Sequence, residues 1–287
     1  MRSNLLESAG IDIGGPCLDA KEVTILVPNY KTPEITRICL RLLRKHCDPS
    51  QVHVIAIDND SDDESLTYLK SLKWIELIER HREPDDSPAL SHARALDLAL
   101  ERVTTPFVLS IHTDTFVRDP AWLGTLLAPF HEDPKVAGVG SWKLETKSPL
   151  ALLGRRIEQF WKESTAKLTG RRTWDPVRFD ESQRYLRSHC AMYRTDLIRK
   201  LGTCFSDEKR EAGRTMHRKM LEAGYRMVFL DSAHLGRYVD HLNHATMVLN
   251  PELGSKASTV RSGKKRIQAR MRGIDAVGIL ADASLDR

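Results

Sequence analysis

Five cysteines stand far apart in the 287-residue chain, at Cys17, Cys39, Cys47, Cys190 and Cys204, and none belongs to a C-x-x-C pair. The odd number and the scatter exclude a disulfide framework and a zinc knuckle, and they fit a reducing cytoplasm. Long apolar runs are missing as well. Nothing approaches the roughly 18–20 residues needed to cross a bilayer. The opening MRSNLLESAGIDIGGPC carries acidic residues where a signal peptide needs an unbroken apolar core, so a soluble, unprocessed chain is expected. No G-x-G-x-x-G follows a strand-like run, which argues against dinucleotide binding, and no internal repeat is present. The formal charge of +5 leaves room for an anionic ligand without indicating nucleic acid. With 41% hydrophobic and 29% charged residues, the composition excludes collagen-like, low-complexity and disordered classes.

What is present is an alternation. Residues 1–20 show no periodicity and form an expected N-terminal arm. VTILV (Val23 to Val27) then has the β-branched, evenly apolar character of a strand covered on both faces. Thr32 and Pro33 predict a helix start, with Thr32 as N-cap. VHVIAID (52–58), WIELIER (74–80) and PFVLSI (106–111) predict further strands, and helices are expected between them. Strands alternating with helices describe a doubly wound, mostly parallel sheet, whose ligands bind beyond the carboxyl ends of the strands. That rule selects Asn29 and Tyr30, then Asp58 to Asp63, then His112 to Asp114. Ser61 and Asp63 are expected to shape a turn and cap the following helix.

Past residue 125 the alternation weakens. KVAGVGSWKL, HCAMYR and YRMVFLD are strand-like, and RRIEQFWKESTAKL is an amphipathic helix pattern. TDLIRKLG and GRTMHRKMLEAG are helices whose closing Gly202 and Gly224 stand where a left-handed cap belongs. The stretch from Ser255 to Arg272 is rich in Lys and Arg. It suits a solvated, partly helical extension or a peripheral contact with anionic lipid or polymer.

Three motifs in register, VTILVPNYKTPE, VIAIDNDSDDES and SIHTDTFVRDPAWL, resemble the inverting family 2 glycosyltransferases of the GT-A fold. MYRTDLIRKLG and GYRMVFL extend the likeness more loosely. The resemblance implies an α/β GT-A fold, a Rossmann-like sheet flanked by helices. It divides the chain into a nucleotide-sugar half (21–125), a variable acceptor half (126–250) and a basic extension (251–287). It also implies a nucleotide-diphosphate sugar donor, UDP-linked by expectation, and a saccharide, lipid-linked or small-molecule acceptor. Mn2+ or Mg2+ is the expected cofactor, and the oligomeric state is left open.

By the same resemblance, Pro28 and Tyr30 line the base and Asp58 accepts from its imide N–H, a charge-assisted bond. Asn29, Arg94, His112 and Thr113 join them as donor contacts. Asp114 falls on the last aspartate of the family's D-x-D and is the expected metal ligand, while His112 replaces the first. His241 and His244, which would share a face if helical, are candidate further ligands. The general base is expected in an acidic pair, but that pair falls on Ala212 and Gly213. Glu211 beside it is the choice, with Asp207 and Glu208 as substitutes. A binding protein without turnover is the alternative; a nucleotidyltransferase is less favoured because VPNYKTPE offers no glycine-rich loop.

Overall fold

The structure is a computed structural model and describes residues 21–84, 86–142, 144 and 184–287. β1 (Val23–Asn29) is buried at every position and sits inside a seven-stranded sheet. On one side it pairs in parallel with β2 (Val52–Asp58), which pairs in parallel with β3 (Glu76–Glu79). On the other it pairs in parallel with β4 (Phe107–Ile111). The helices between them are α1 (Pro33–His46), α2 (Glu64–Ser71) and α3 (Pro88–Leu100). Asp63 caps α2 by accepting from Ser65 N at 2.9 Å, as its position suggested. Thr32 precedes α1 but does not cap it. Its hydroxyl turns to Thr36 instead, at 3.1 Å.

The second half joins the same sheet with reversed sense. β7 (Cys190–Arg194) runs antiparallel to both β4 and β6 (Val136–Gly140), and β6 carries β8 (Arg226–Phe229) in parallel at the edge. The full order is β3-β2-β1-β4-β7-β6-β8. α4 (Trp122–Glu132) was not legible beforehand, because Gly124 and Pro129 interrupt its pattern; buried Trp122, Leu126 and Phe130 hold it helical. α5 (Thr195–Lys200) and α6 (Arg214–Glu222) do end on Gly202 (φ 54°) and Gly224 (φ 84°). β5 (Thr115–Val117) leaves the main sheet and pairs antiparallel with β9 (Val239–His241), after the short α7 (Ser232–Leu235). The 1–20 arm and the 155–168 helix pattern lie outside the described residues.

His217, on α6, is 3% exposed, and its Nδ1 accepts from Leu186 N at 3.4 Å. Burial pushes its pKa down to about 4 from an ordinary 6.5. Between those values the unfolded chain takes up a proton that the folded one refuses, so stability falls as pH drops through the window. The loss is expected to be on the order of 3 kcal/mol by pH 4. Urea unfolding midpoints at pH 7 and 4.5 should differ less in His217→Gln than in the parent; equal differences would contradict the assignment.

The basic C-terminal region is not a loose extension. α8 (Ala245–Leu249) packs on α9 (Ala257–Gly273), where a Cβ on Gly263 would come within 2.5 Å of the Val248 side chain. Gly263→Ala is therefore expected to destabilise by about 1–3 kcal/mol despite alanine's better helix propensity. An unchanged melting temperature would show that the two helices separate freely. α10 (Ala276–Ala281) and the residues after it close onto α1. Arg41, 4% exposed, donates to the Ile279 and Leu280 carbonyls at 2.9 and 2.6 Å and forms a two-pronged pair with Asp286. Tyr68 donates to the same carboxylate at 2.8 Å. Among the described residues, no helix is long and apolar enough to cross a membrane.

Candidate active site

A cavity of about 640 Å³ opens at the carboxyl ends of β1, β2 and β4. Pro28, Asn29, Tyr30 and Asn59 line it from the first two strand ends, and His112, Thr113 and Asp114 from the third. β5 continues directly from Asp114, and β9 brings His241 opposite Thr115. This small ribbon therefore sets His241 against Asp114: Nε2 lies 3.1 Å from Oδ1, off the line of a hydrogen bond. His112 Nδ1 is 3.7 Å from the same oxygen. One ligand atom from each of the three residues falls within 4.8 Å of the others.

Asp114 is 3% exposed and His241 8%. The Ala245 N–H donates to Asp114 Oδ2 at 2.9 Å, while Oδ1 and both His241 ring nitrogens have no hydrogen-bond partner. Burial alone would raise the Asp114 carboxyl. The His241 and His112 rings and the Ala245 N–H outweigh it and hold Asp114 below the usual carboxylate range. A buried carboxylate oxygen and an unpaired imidazole Nε2 facing it suit a divalent cation, with His112 Nδ1 as a third ligand atom. Two ligands bound at right angles to such an ion stand roughly 3 Å apart, given bonds of about 2.1 Å. The donor set fits.

Two further histidines, which sequence reasoning missed, complete the cluster. His189 stacks on His241 with ring centroids 4.5 Å apart and an angle of 15°, and its Nε2 meets Ser141 Oγ at 3.1 Å. His92, from α3, and His112 both place Nε2 on Ser188 Oγ, at 3.1 and 3.0 Å. The hydroxyl has one proton to give, so at least one of the two rings must donate to it. Burial lowers the pKa of His92 to about 4 and those of His112 and His189 well below the ordinary value. These rings are neutral at neutral pH, the form in which imidazole ligates metal. No spacing pattern announces them, because α3 and the turn before β7 meet here only in three dimensions.

The remaining expected residues separate. Asp58 does not line the cavity: its oxygens accept from Asn29 Nδ2 at 2.8 Å and Ser61 N at 3.0 Å, and it is 2% exposed. Asn29 spends its side chain internally, also meeting Ser61, Ser65 and Thr36 hydroxyls. Arg94 turns away to Asp86 at 2.5 Å and is not among the lining residues. In its place Arg82 lines the cavity, its guanidinium 5.2 Å from the Tyr30 ring centroid and its Nε buried without a partner. His244 is exposed at the cavity in a left-handed conformation, so it shares no helical face with His241 and stands outside the three-residue cluster.

Of the three acidic candidates, only Glu211 lines the cavity. Asp207 is held by Lys219 at 2.7 Å and by Thr203 and Cys204. Burial opposes its ionisation, but these contacts lower its pKa to about 2. Glu208 pairs with Arg218 at 2.6 Å on the surface. The expected acidic pair cannot form at Gly213, where φ is 78° and a Cβ would lie 3.0 Å from the Tyr193 hydroxyl. Glu211 is held ionised by its own backbone N–H and by Arg214. Beside it, the Arg187 guanidinium lies 4.5 Å from the Trp142 ring and 4.7 Å from Tyr185.

No curated protein matches this sequence. Among solved structures, the mannosyltransferase PcManGT from Pyrobaculum calidifontis, in complex with GDP-Man and Mn2+, is similar at 15% identity. Its TM-score is 0.50 over 92% of this chain and 79% of that one. S. aureus TarS 1-349 has a TM-score of 0.50 at 14% identity, over 91% of this chain and 75% of that one. Both likenesses concern the fold. The sequence signature described as Glycosyl transferase family 2 matches residues 24–202, more than half the chain. With that match and a mostly parallel seven-stranded sheet flanked by helices, the chain belongs to glycosyl transferase family 2 and has the GT-A fold.

Proposed function

We propose that the protein transfers a sugar from a nucleotide-diphosphate sugar, UDP-linked in the first instance, to an acceptor hydroxyl with inversion. The observation that carries this reading is the buried, unpartnered Asp114 Oδ1 facing the unpartnered His241 Nε2 in the cavity. Asp114 and His241, with His112, would hold Mn2+ or Mg2+, which when bound supplies positive charge to the donor's diphosphate. The GDP-Man and Mn2+ in the Pyrobaculum mannosyltransferase support the same pairing of ligand and ion.

Tyr30 and Arg82 form the donor wall: a ring for the base, and a cation whose unpaired Nε suits a phosphate oxygen. Trp142, Tyr185 and Arg187 form the acceptor wall next to Glu211. Glu211 takes the acceptor hydroxyl's proton as that oxygen bonds to the anomeric carbon, and the bond from that carbon to the diphosphate breaks with its electron pair. Ser188 and His189 hold the His112 and His241 rings in place, the usual service of groups behind metal ligands.

A second reading, binding without transfer, is favoured by one observation. Glu211 is the only acidic side chain from that segment at the cavity, and it is half exposed and paired with Arg214 at 3.1 Å. Melting curves with a panel of nucleotide sugars, each with and without Mn2+, test what the two readings share. At about 100 times Kd a ligand adds about 2.7 kcal/mol. A metal-dependent rise for one nucleotide class is expected; no rise for any sinks both readings. Release of nucleoside diphosphate on adding acceptor then separates transfer from binding.

A further inference from the structure

The net positive charge of this chain is accounted for by one short segment. Residues 256–272 hold seven Lys and Arg and no Asp or Glu, so the remainder is net −2 although the whole is +5. α9 presents these charges on a fixed frame. Gly263 and Ile267 pack inward against the body, and Arg270 reaches Asp240 at 3.3 Å. Arg266 donates to the carbonyls of Leu242 and Asn243, in the loop that lines the cavity. Arg261, Lys264, Lys265 and Arg272 are all exposed. At about 100° per residue these four fall within an arc of roughly 100°, and Gly263 and Ile267 lie outside it, centred about 130° away. The result is one stripe of cations along the outer face.

Like charges three and four residues apart oppose one another on a helix. Solvated helical faces normally relieve this with interspersed acids, yet none occurs between Gly254 and Ile274. Glu34 lines a groove with Lys264 and Arg272, but no acid stands on the helix itself, so much of the repulsion is left for a counter-charge supplied from outside. Beside the stripe, Leu249 is 38% exposed and lines a groove together with Lys264 and Arg272; Val277, on the next helix, is 81% exposed. Cations beside an exposed apolar side chain such as Leu249 suit a headgroup layer above hydrocarbon. A single-stranded nucleic acid would require rings to stack on, and no Phe, Tyr or Trp follows Tyr238.

We propose that the outer face of α9 is a docking surface for an anionic phospholipid bilayer, beside the cavity loop that Arg266 grips. This rests on the charge and placement of α9 alone and is independent of the chemistry assigned to the cavity.

The test is co-sedimentation of the full chain with phosphatidylcholine vesicles, with and without phosphatidylglycerol. The chain is expected to partition onto the anionic vesicles only, and less at raised salt. Each cation near such a surface strengthens partitioning roughly fivefold, so Arg261→Gln/Lys264→Gln/Lys265→Gln should weaken it about 100-fold. Donor-induced melting shifts should be unchanged, since none of the three lines the cavity. If the triple variant does not melt cooperatively, the single Lys265→Gln variant, expected to lose about fivefold, replaces it. Equal binding to neutral vesicles, or undiminished binding by the folded variant, overturns the proposal. So does binding to soluble polyphosphate as tight as to the vesicles, which would assign the stripe to a dissolved polyanion.

Discussion

Asp114→Asn is expected to abolish the manganese dependence of donor binding and to lower transfer by about 10²–10³-fold, the scale of losing several kcal/mol of metal assistance. The amide oxygen can still accept from Ala245 N, so the turn between β4 and β5 keeps its 2.9 Å bond and the variant should melt cooperatively. What disappears is the negative charge between His241 and His112. A neutral oxygen is a far poorer partner for a hard divalent ion than a carboxylate. Isothermal titration with Mn2+ and then with donor reads both effects. Metal affinity equal to the parent's would remove Asp114 from the site, whereas a collapsed melting curve would make it a structural residue.

Glu211→Gln should lose transfer by about 10²-fold or more, as expected on removing a general base, while donor melting shifts persist. The carboxamide keeps the shape and the contact with Arg214 and cannot take a proton. Asp207→Asn and Glu208→Gln are informative controls, because both side chains point away from the cavity to Lys219 and Arg218. Either one matching the Glu211 loss would contradict the geometry. Full activity in Glu211→Gln with intact donor binding would transfer the role to a non-acidic group, or leave the cavity as a binding site whose turnover has another origin.

The parts of the fold visible in the sequence are those dictated by local pattern. β1, β2 and β4 are evenly apolar and end in polar turns, and Gly202 and Gly224 close their helices with positive φ. The order of β7 between β4 and β6 is set by packing between distant segments, and nothing in HCAMYR distinguishes an antiparallel neighbour from a parallel one. The site divides the same way. Asp114 and His112 were legible because they end a strand. His241 was legible only through the family resemblance, from its distance beyond the VFL strand, since β9 is three residues long and exists by pairing with β5. Arg82 and Ser188 lie in loops without motif, and Arg94, the arginine expected at the donor, is held by Asp86 instead.

The grip of Arg41 on the C-terminal region bears on the order in which this chain matures. α1 is the first helix of the sheet-forming region, yet its buried guanidinium finds Asp286 across 245 positions of sequence. During synthesis β1, α1 and β2 emerge long before that carboxylate does. Until residues 276–287 arrive, that guanidinium is left to water rather than to Asp286 and the Ile279 and Leu280 carbonyls. Closing so long a loop is slow and entropically costly. The latch should be among the last contacts formed and among the first released, and a protease acting on partly opened molecules would begin there.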